Sequence, residues 1–591
     1  MKNFKKLMAL VIAAAMVVAA VPATAAVDDL DHKGVLTVNG LNSGTEETVK
    51  YFKVLEWDQD NATLENGGWK FTEKFAGVAD ADTKLQEILN GGISGDTAAA
   101  LAAFVTTSDT GITSPAGQID AANKKWTAGT EQAPVDPGLY LVFITTEEPG
   151  VFYNPVFVAS NWYNAGGPGA EPTEQTFDIV KDALSYSDEA YAKLSTITLD
   201  KTATGDTTTA GQPAADSDPN TTDVGDIIDF TVKTKIPVYN DSYTNPVFKV
   251  KDKLEGLTLD QSSIVVYADS AATEGKELVK DQDYTIEEIG TDKYIISFKK
   301  EYMQGANFPQ AGQDITITYK AEVSDAALQT VNQDKNTVDL IFSTNPLDTT
   351  GGGRLRDKTN HFTFSIDANI LGGPGDSSQE LIKVGVSADG TPIEEVVNTY
   401  YYPPTHAALE GAEFTLYKAD GTTVYTNDTG FNGTVTSDAM GRITIKGLDQ
   451  GTYILRETKA PNGYIKQASG VKITITADVK TDRTIVEEVD GVECTYITNY
   501  LNSYTVAFEN EDGTGTASTT YTITNQEENV GTSDTAVSVT RTGDDKEVIN
   551  TKGTELPSTG GMGTTLFYAI GAILVLGAGI LLVSKRRMSA N

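Results

Sequence analysis

The sequence predicts an all-β chain of antiparallel β-sandwiches placed in series, and three observations carry that reading. Short runs of alternating polarity dominate: LTVNG, TVKYFKV, YLVFIT, IIDFTVKTKIPV, YIISFK, ITITYKAEV, VDLIFS, EFTLYKA, TYILRET and VKITITA. They are rich in Thr, Val, Ile and Tyr, whose side chains fit a pleated, half-buried surface, and Gly, Asn, Asp and Pro separate them. At 591 residues the chain is too long for one core, so several such domains are expected.

Residues 1–25 read as a signal peptide. Lys2, Lys5 and Lys6 form a basic start, Leu7 to Val21 is apolar, and Ala23-Thr24-Ala25 is a small-residue cleavage pattern. The first domain is expected over 26–195. Its stretch from Thr83 to Val105 departs from the strand pattern and predicts one or two short helices. NAGGPGAEPT, Asn164 to Thr173, leads out of it. The second domain is expected over 196–372, with a polar Thr/Ala/Asp/Gly loop from Thr202 to Thr222 near its start. LGGPGDSS, Leu371 to Ser378, separates it from a third domain over 373–553. Three tandem Ig-like sandwiches make a rod. Residues 554–591 are of another kind: LPSTG, an apolar segment over 564–584, then Lys585-Arg586-Arg587. An apolar run of about 20 residues is long enough to span a bilayer as a helix, and the cations behind it favour a cytoplasmic C-terminus.

Composition excludes several functions. The formal net charge is −37, from 82 acidic and 45 basic residues, and no basic stripe is present to neutralise phosphates, which argues against nucleic acid. Cys494 is the one cysteine, so no internal disulfide can form and durability outside a cell requires another device. His32, His361 and His406 are scattered and no metal-ligand spacing occurs, so neither a metal site nor a cofactor is expected. No Ser/His/Asp constellation or nucleotide loop supports an enzyme. Trp57, Trp69, Trp126 and Trp162 are expected mostly in the core rather than on a binding face.

LPSTG (Leu556, Pro557, Ser558, Thr559, Gly560), followed by the span and the cations, resembles the cell-wall sorting signal of Gram-positive surface proteins. The resemblance implies cleavage between Thr559 and Gly560 by a membrane transpeptidase, sortase, and transfer of the Thr559 carboxyl to an amine. The rest of the chain resembles a sortase-assembled backbone pilin. In that family a lysine at the end of the first domain of the next subunit supplies the amine. Tyr191-Ala192-Lys193 matches the family's Tyr-Pro-Lys with Ala in place of Pro, which implicates Lys193, with Lys181 in FDIVKD as the alternative.

The second domain resembles a pilin domain that forms an internal Lys–Asn amide. The matching residues are Lys201 in ITLDKTA, Asn336 in NTVDLIFSTNP and the catalytic acid Asp252 in FKVKDKLEGL; Asp226 and Asp229 in VGDIIDF are competing carboxylates. The third domain, through LEGAEFTLYKADG and GLDQGTYILRETKAPNGY, resembles the B-type repeat of the collagen adhesin. That likeness implies Lys383, the acid Glu457 and Asn550, with Asn525 in YTITNQE as the alternative asparagine.

An amide between Lys and Asn side chains forms only if the amine is neutral and the carboxamide carbon is electrophilic. Burial lowers a lysine pKa, and a neighbouring carboxyl can support charge on the amide oxygen. Fixed proximity then substitutes for a separate catalyst, in a single self-modifying turnover. The expected function is therefore structural: an exported shaft subunit joined Thr559 to lysine and finally attached to the cell wall. Its partners would be sortase, further copies of the chain, minor pilins and peptidoglycan. The alternative is a wall-anchored adhesin or minor pilin that binds a host or matrix ligand.

Overall fold

The computed structural model describes residues 30–32, 34–42, 47–57, 68–105, 109–130, 132–146, 148–160, 162–164, 173–174, 186–207, 218–239, 243–304, 312–324, 334–346, 348–367, 380–391, 393, 406–427, 431–524, 538–553 and 562–588. The leader, the Leu371–Ser378 break, Lys181, Asn525 and the LPSTG pentapeptide lie outside the described residues. What is described is mostly strand, arranged as successive pairs of packed sheets.

The first pair sets the strands Trp69–Phe71, Glu47–Trp57, Gly138–Thr146 and Val156–Ser160, in that order, against a second sheet. That second sheet runs Glu189–Tyr191, Leu36–Asn39, Lys125–Ala128, Gly117–Asp120. Leu36, Val38 and Trp126 meet Tyr51, Tyr140 and Val142 between them. The other face of the first sheet is also covered. Phe52, Leu55, Leu139 and Leu141 pack under helices Ala81–Leu89 and Gly95–Ala102 through Leu85, Ile88 and Leu101. Burial on both faces explains why GLYLVFITT reads as nearly continuous apolar sequence. The expected helical stretch Thr83–Val105 overlaps both helices, the first of which begins two residues earlier at Ala81 and the second of which ends at Ala102. Trp69 and Trp126 are core residues.

Strand Lys193–Thr196 pairs with Val151–Asn154, and Phe152 from that ribbon enters the second core. The second sandwich opposes the sheet Leu199–Thr207, Ile227–Lys235, Asp314–Val323, Leu257–Tyr267 to the sheet Tyr284–Ile289, Lys293–Phe298, Phe248–Leu254, Asp334–Phe342, Gly353–His361. Alternation buries Phe230, Val232, Ile317 and Tyr319 on one side and Val250, Tyr294, Ile296, Val338 and Leu340 on the other. One expectation needs correction: the polar loop does not begin at Thr202. The first strand continues to Thr207, because Ala203, Asp206 and Thr207 pair with Phe230, Ile228 and Ile227 around a bulge.

The third sandwich has a seven-stranded sheet, Thr434–Thr436, Glu413–Lys418, Gly451–Lys459, Val471–Val489, Val492–Asn510, Ala517–Thr524, Ser538–Gly543. A three-stranded sheet, Ala407–Ala408, Leu381–Val386, Lys546–Thr551, packs on it, with the last two strands parallel. Phe414, Leu455, Ile473, Val506 and Tyr504 fill the space with Leu381 and Val548. The central hairpin is built of two 19-residue strands. Its far end lies along Gly353–His361 of the second sandwich. Arg356 joins Asp339 and Glu487 there at 2.6 Å each, and Arg354 reaches Asp490 at 3.3 Å. Lys358 Nζ sits 5.8 Å from the Tyr496 ring centroid. Asn360 N–H donates to Asn499 Oδ1 at 2.8 Å, and Asn499 Nδ2 donates back to the Asn360 carbonyl at 2.6 Å. Asp223 fastens the near side, accepting from Tyr425 OH at 2.9 Å and Asp449 N–H at 2.7 Å.

The last element is the helix Met562–Met588, which starts before and ends beyond the expected 564–584. Within it Tyr568–Met588 has mean hydropathy 2.0 and is long and apolar enough to cross a membrane.

Candidate functional site

Two buried Lys–carboxyl–Asn clusters stand out, one in each of the second and third sandwiches. In the second, Lys201 on the strand Leu199–Thr207 faces inward across the sandwich toward Asp252 on Phe248–Leu254 and Asn336 on Asp334–Phe342. Asp252 and Asn336 lie on adjacent strands, with Asp252 opposite Val338 and Leu254 opposite Asn336. Lys201 Nζ donates to Asp252 Oδ2 at 2.6 Å, and both side chains are fully buried. Burial holds the Lys201 amine below the ordinary lysine range, against the opposing pull of Asp252 and Asp357. Two phenols complete the site. Tyr294 OH donates to Asp252 Oδ2 at 3.0 Å, and Tyr319 OH touches Lys201, Asp252 and Asn336. Phe230 and Tyr319 present ring faces 5.4 and 5.1 Å from the Lys201 nitrogen.

The competing carboxylates take other roles. Asp229 faces outward and pairs with Lys320 at 2.9 Å, while Asp226 accepts the Asp223 N–H at 2.9 Å in the turn beside the third sandwich. Asp357 is the carboxylate that the sequence did not single out. It accepts the Lys201 backbone N–H at 2.6 Å, and burial pushes its carboxyl up to about 6.

In the third sandwich Lys383 and Asn550 come from neighbouring parallel strands of the small sheet, in the register Gly385 to Asn550. Glu457 approaches from the large sheet, on Gly451–Lys459. Lys383 Nζ donates to Asn550 Oδ1 and lies 3.2 Å from Glu457 Oε1. Asn550 Nδ2 donates to that same Oε1 at 2.8 Å, and Gln467 N–H holds Oε2 at 2.6 Å. Burial lowers the Lys383 pKa to about 8, although Glu457 opposes the shift. Phe414 lies under the amine, its ring centroid 5.8 Å away. Each arrangement buries an amine with a depressed pKa beside a carboxyl, with the carboxamide in direct contact at Lys383 and reached through the Tyr319 hydroxyl at Lys201. Those are the conditions under which an amine can attack an amide carbon.

Lys193 is far simpler. It is exposed at the start of Lys193–Thr196, opposite Asn154, next to a Tyr191 that is 73% exposed. Sequence reasoning missed Tyr319 and Tyr294. The one signal available was their inward position in ITITYKAEV and KYIISF, since a buried phenol requires a hydrogen-bond partner.

Residues 404–489 match a SpaA family described as a prealbumin-like fold domain, and residues 549–589 match the LPXTG cell wall anchor motif. The chain is 24% identical over 474 residues to the trypsin-resistant surface T6 protein of Streptococcus pyogenes serotype M6, covering 76% of this chain and 79% of that protein. Among solved structures it is similar to the three-domain T6 backbone pilin of serotype M6 Streptococcus pyogenes, at 17% identity and a TM-score of 0.49 over 90% of this chain and 100% of that one. The full-length major pilin SpaD of Corynebacterium diphtheriae is also similar, at 19% identity and a TM-score of 0.40 over 73% and 89% of the two chains.

Proposed function

We propose that this chain is the shaft subunit of a covalent surface pilus. Sortase cuts it after Thr559 and passes the Thr559 carboxyl to Lys193 of the next copy, and the last copy is transferred to peptidoglycan. The anchor match over 549–589 and the relationship to the T6 protein support export and wall attachment. The observation that carries the mechanical role is the pair of buried clusters. Lys201 joins Asn336 under Asp252, and Lys383 joins Asn550 under Glu457, each releasing one ammonia.

Each bond closes a loop of more than about 100 residues. By analogy with a disulfide, that contributes roughly 4–5 kcal/mol of stability. An amide also resists reduction, which suits a chain with one buried cysteine. Tension entering at Lys193 then passes to Thr559 through covalent shortcuts rather than through sheet hydrogen bonds alone.

Peptide and intact mass spectrometry on material from the native cell surface tests this reading. High-mass ladders with a branched Thr559–Lys193 peptide, and subunits lighter by two ammonias, are expected. Monomers joined through Thr559 to wall peptide alone would overturn the shaft role in favour of a single anchored adhesin. A branch at Lys181 would move the acceptor.

A further inference from the structure

The cluster in the second sandwich contains a group that amide formation between Lys201 and Asn336 leaves without a role. Tyr319 lies mid-strand in Asp314–Val323, fully enclosed between the two sheets. Its hydroxyl accepts from Lys201 Nζ at 2.5 Å and from Asn336 Nδ2 at 2.6 Å, and donates to Asp252 Oδ2 at 3.0 Å. Asp252 holds the amine but makes no hydrogen bond to Asn336. Among the described residues, the Asn336 carboxamide has its side-chain hydrogen bond to Tyr319 alone.

Amide formation moves one proton from the attacking nitrogen to the leaving one. In the third sandwich a single atom, Glu457 Oε1, touches both nitrogens. In the second, the atom that touches both is the Tyr319 oxygen. Resting on the Lys201–Asn336 bond proposed above, we propose that Tyr319 is a catalytic residue of that reaction, relaying the proton from the lysine nitrogen to the departing amide nitrogen.

The neutral amine adds to the Asn336 amide carbon, and the C=O π pair moves onto Oδ1. Addition also turns Nδ2 into an amine nitrogen with a lone pair. The Tyr319 hydroxyl turns its proton from Asp252 Oδ2 to Nδ2 and gives it up there, as the extra proton on the newly bonded nitrogen passes to the Tyr319 oxygen. The Oδ1 pair then re-forms the carbonyl, the C–Nδ2 bond breaks, and ammonia leaves. Tyr319 ends as it began, and no other reactant is required. Burial keeps the phenol protonated far above the ordinary tyrosine range, so the hydroxyl is present throughout. Tyr294 is the natural contrast: its hydroxyl touches Asp252 but neither nitrogen.

The test follows ammonia loss by intact mass in newly made full-length chain, produced without sortase and extracted in detergent, for the wild type, Tyr319→Phe and Tyr294→Phe. The Phe ring keeps the stacking of Tyr319 on Phe230, whose centroids are 5.1 Å apart. Tyr319→Phe is expected to slow the Lys201–Asn336 bond about 100-fold or more, the scale of a lost proton-transfer group. In the same molecules the Lys383–Asn550 bond is expected at the wild-type rate, which shows that the chain has folded. Tyr294→Phe is expected to stay within a few fold of wild type. A wild-type rate in Tyr319→Phe would overturn the relay while leaving the bond itself in place, and so would equal slowing in Tyr294→Phe. Wild-type chain that links Lys383 but never Lys201 would remove the bond from the proposed function, and the relay with it.

Discussion

The second and third sandwiches hold the same three residue types in different geometries. In the third, lysine and asparagine stand on adjacent parallel strands of one sheet, and Glu457 reaches both through one oxygen. In the second, Lys201 and Asn336 belong to opposite sheets, and Asp252 with Tyr319 spans the gap. A bond at the first kind of site fastens the last strand to the first. A bond at the second kind staples two sheets through the core. A shared residue set therefore does not dictate a shared geometry, and the paths proposed for the proton and for the load differ with it.

Removing the asparagines tests that difference most severely. Asn336→Ala and Asn550→Ala should each abolish one ammonia loss and one crosslink, at roughly 4–5 kcal/mol. That corresponds to a fall of about 10–20 °C in the transition of the affected domain by calorimetry. An unchanged transition in either variant would show that its bond does not form.

The acids come next. Glu457→Ala should cut the rate of the Lys383–Asn550 bond by about 10³, since both nitrogens lose the same partner. Asp252→Ala should leave a measurable slow reaction, because Tyr319 still bridges Lys201 and Asn336. Equal losses in time-resolved mass spectra would erase the contrast. Acidity separates the sites more gently. With Lys383 at about 8, the reactive neutral amine is depleted below that pH and dominant above it. The rate at Lys383 should therefore fall about tenfold per unit below pH 8 and level off above it, read from cell-free chain made on either side of that value. The smallest effect is expected at the junction. Asn499→Ala removes the reciprocal amide contact with Asn360 and should cost about 1–3 kcal/mol, seen as faster hydrogen exchange along Gly353–His361.

Much of this was legible in the chain. Period-two runs located most strands, EFTLYKA and TYILRET of the third sandwich among them. The lysines and asparagines of both clusters stood on recognisable strands. Tyr319 did not announce itself, because an inward tyrosine in ITITYKAEV looks like any core aromatic until the opposite sheet is in place. The same applies to Asp357. Its neighbours Arg356 and Lys358 mark the strand as solvated, yet they face Glu487 and Tyr496 of the following sandwich. Contacts between elements so distant in sequence leave no local periodicity to read. Nor did the alternation of Val471–Val489 and Val492–Asn510 indicate that the hairpin outruns its own core.

That overhanging hairpin bears on how a filament of such subunits would flex. Tilting the second sandwich against the third would have to shear Arg356 from Glu487 and prise the Asn360–Asn499 pair apart while also pulling Tyr425 from Asp223. Asn499 Nδ2 also donates to Asn220 Oδ1 at 2.7 Å, so these contacts form one connected group across the joint and resist the tilt together. The two sandwiches therefore behave as a single stiff link. In the proposed filament, thermal curvature would then be left to the junctions between subunits, and its persistence length would be set by the length of each link and the bending stiffness of those junctions.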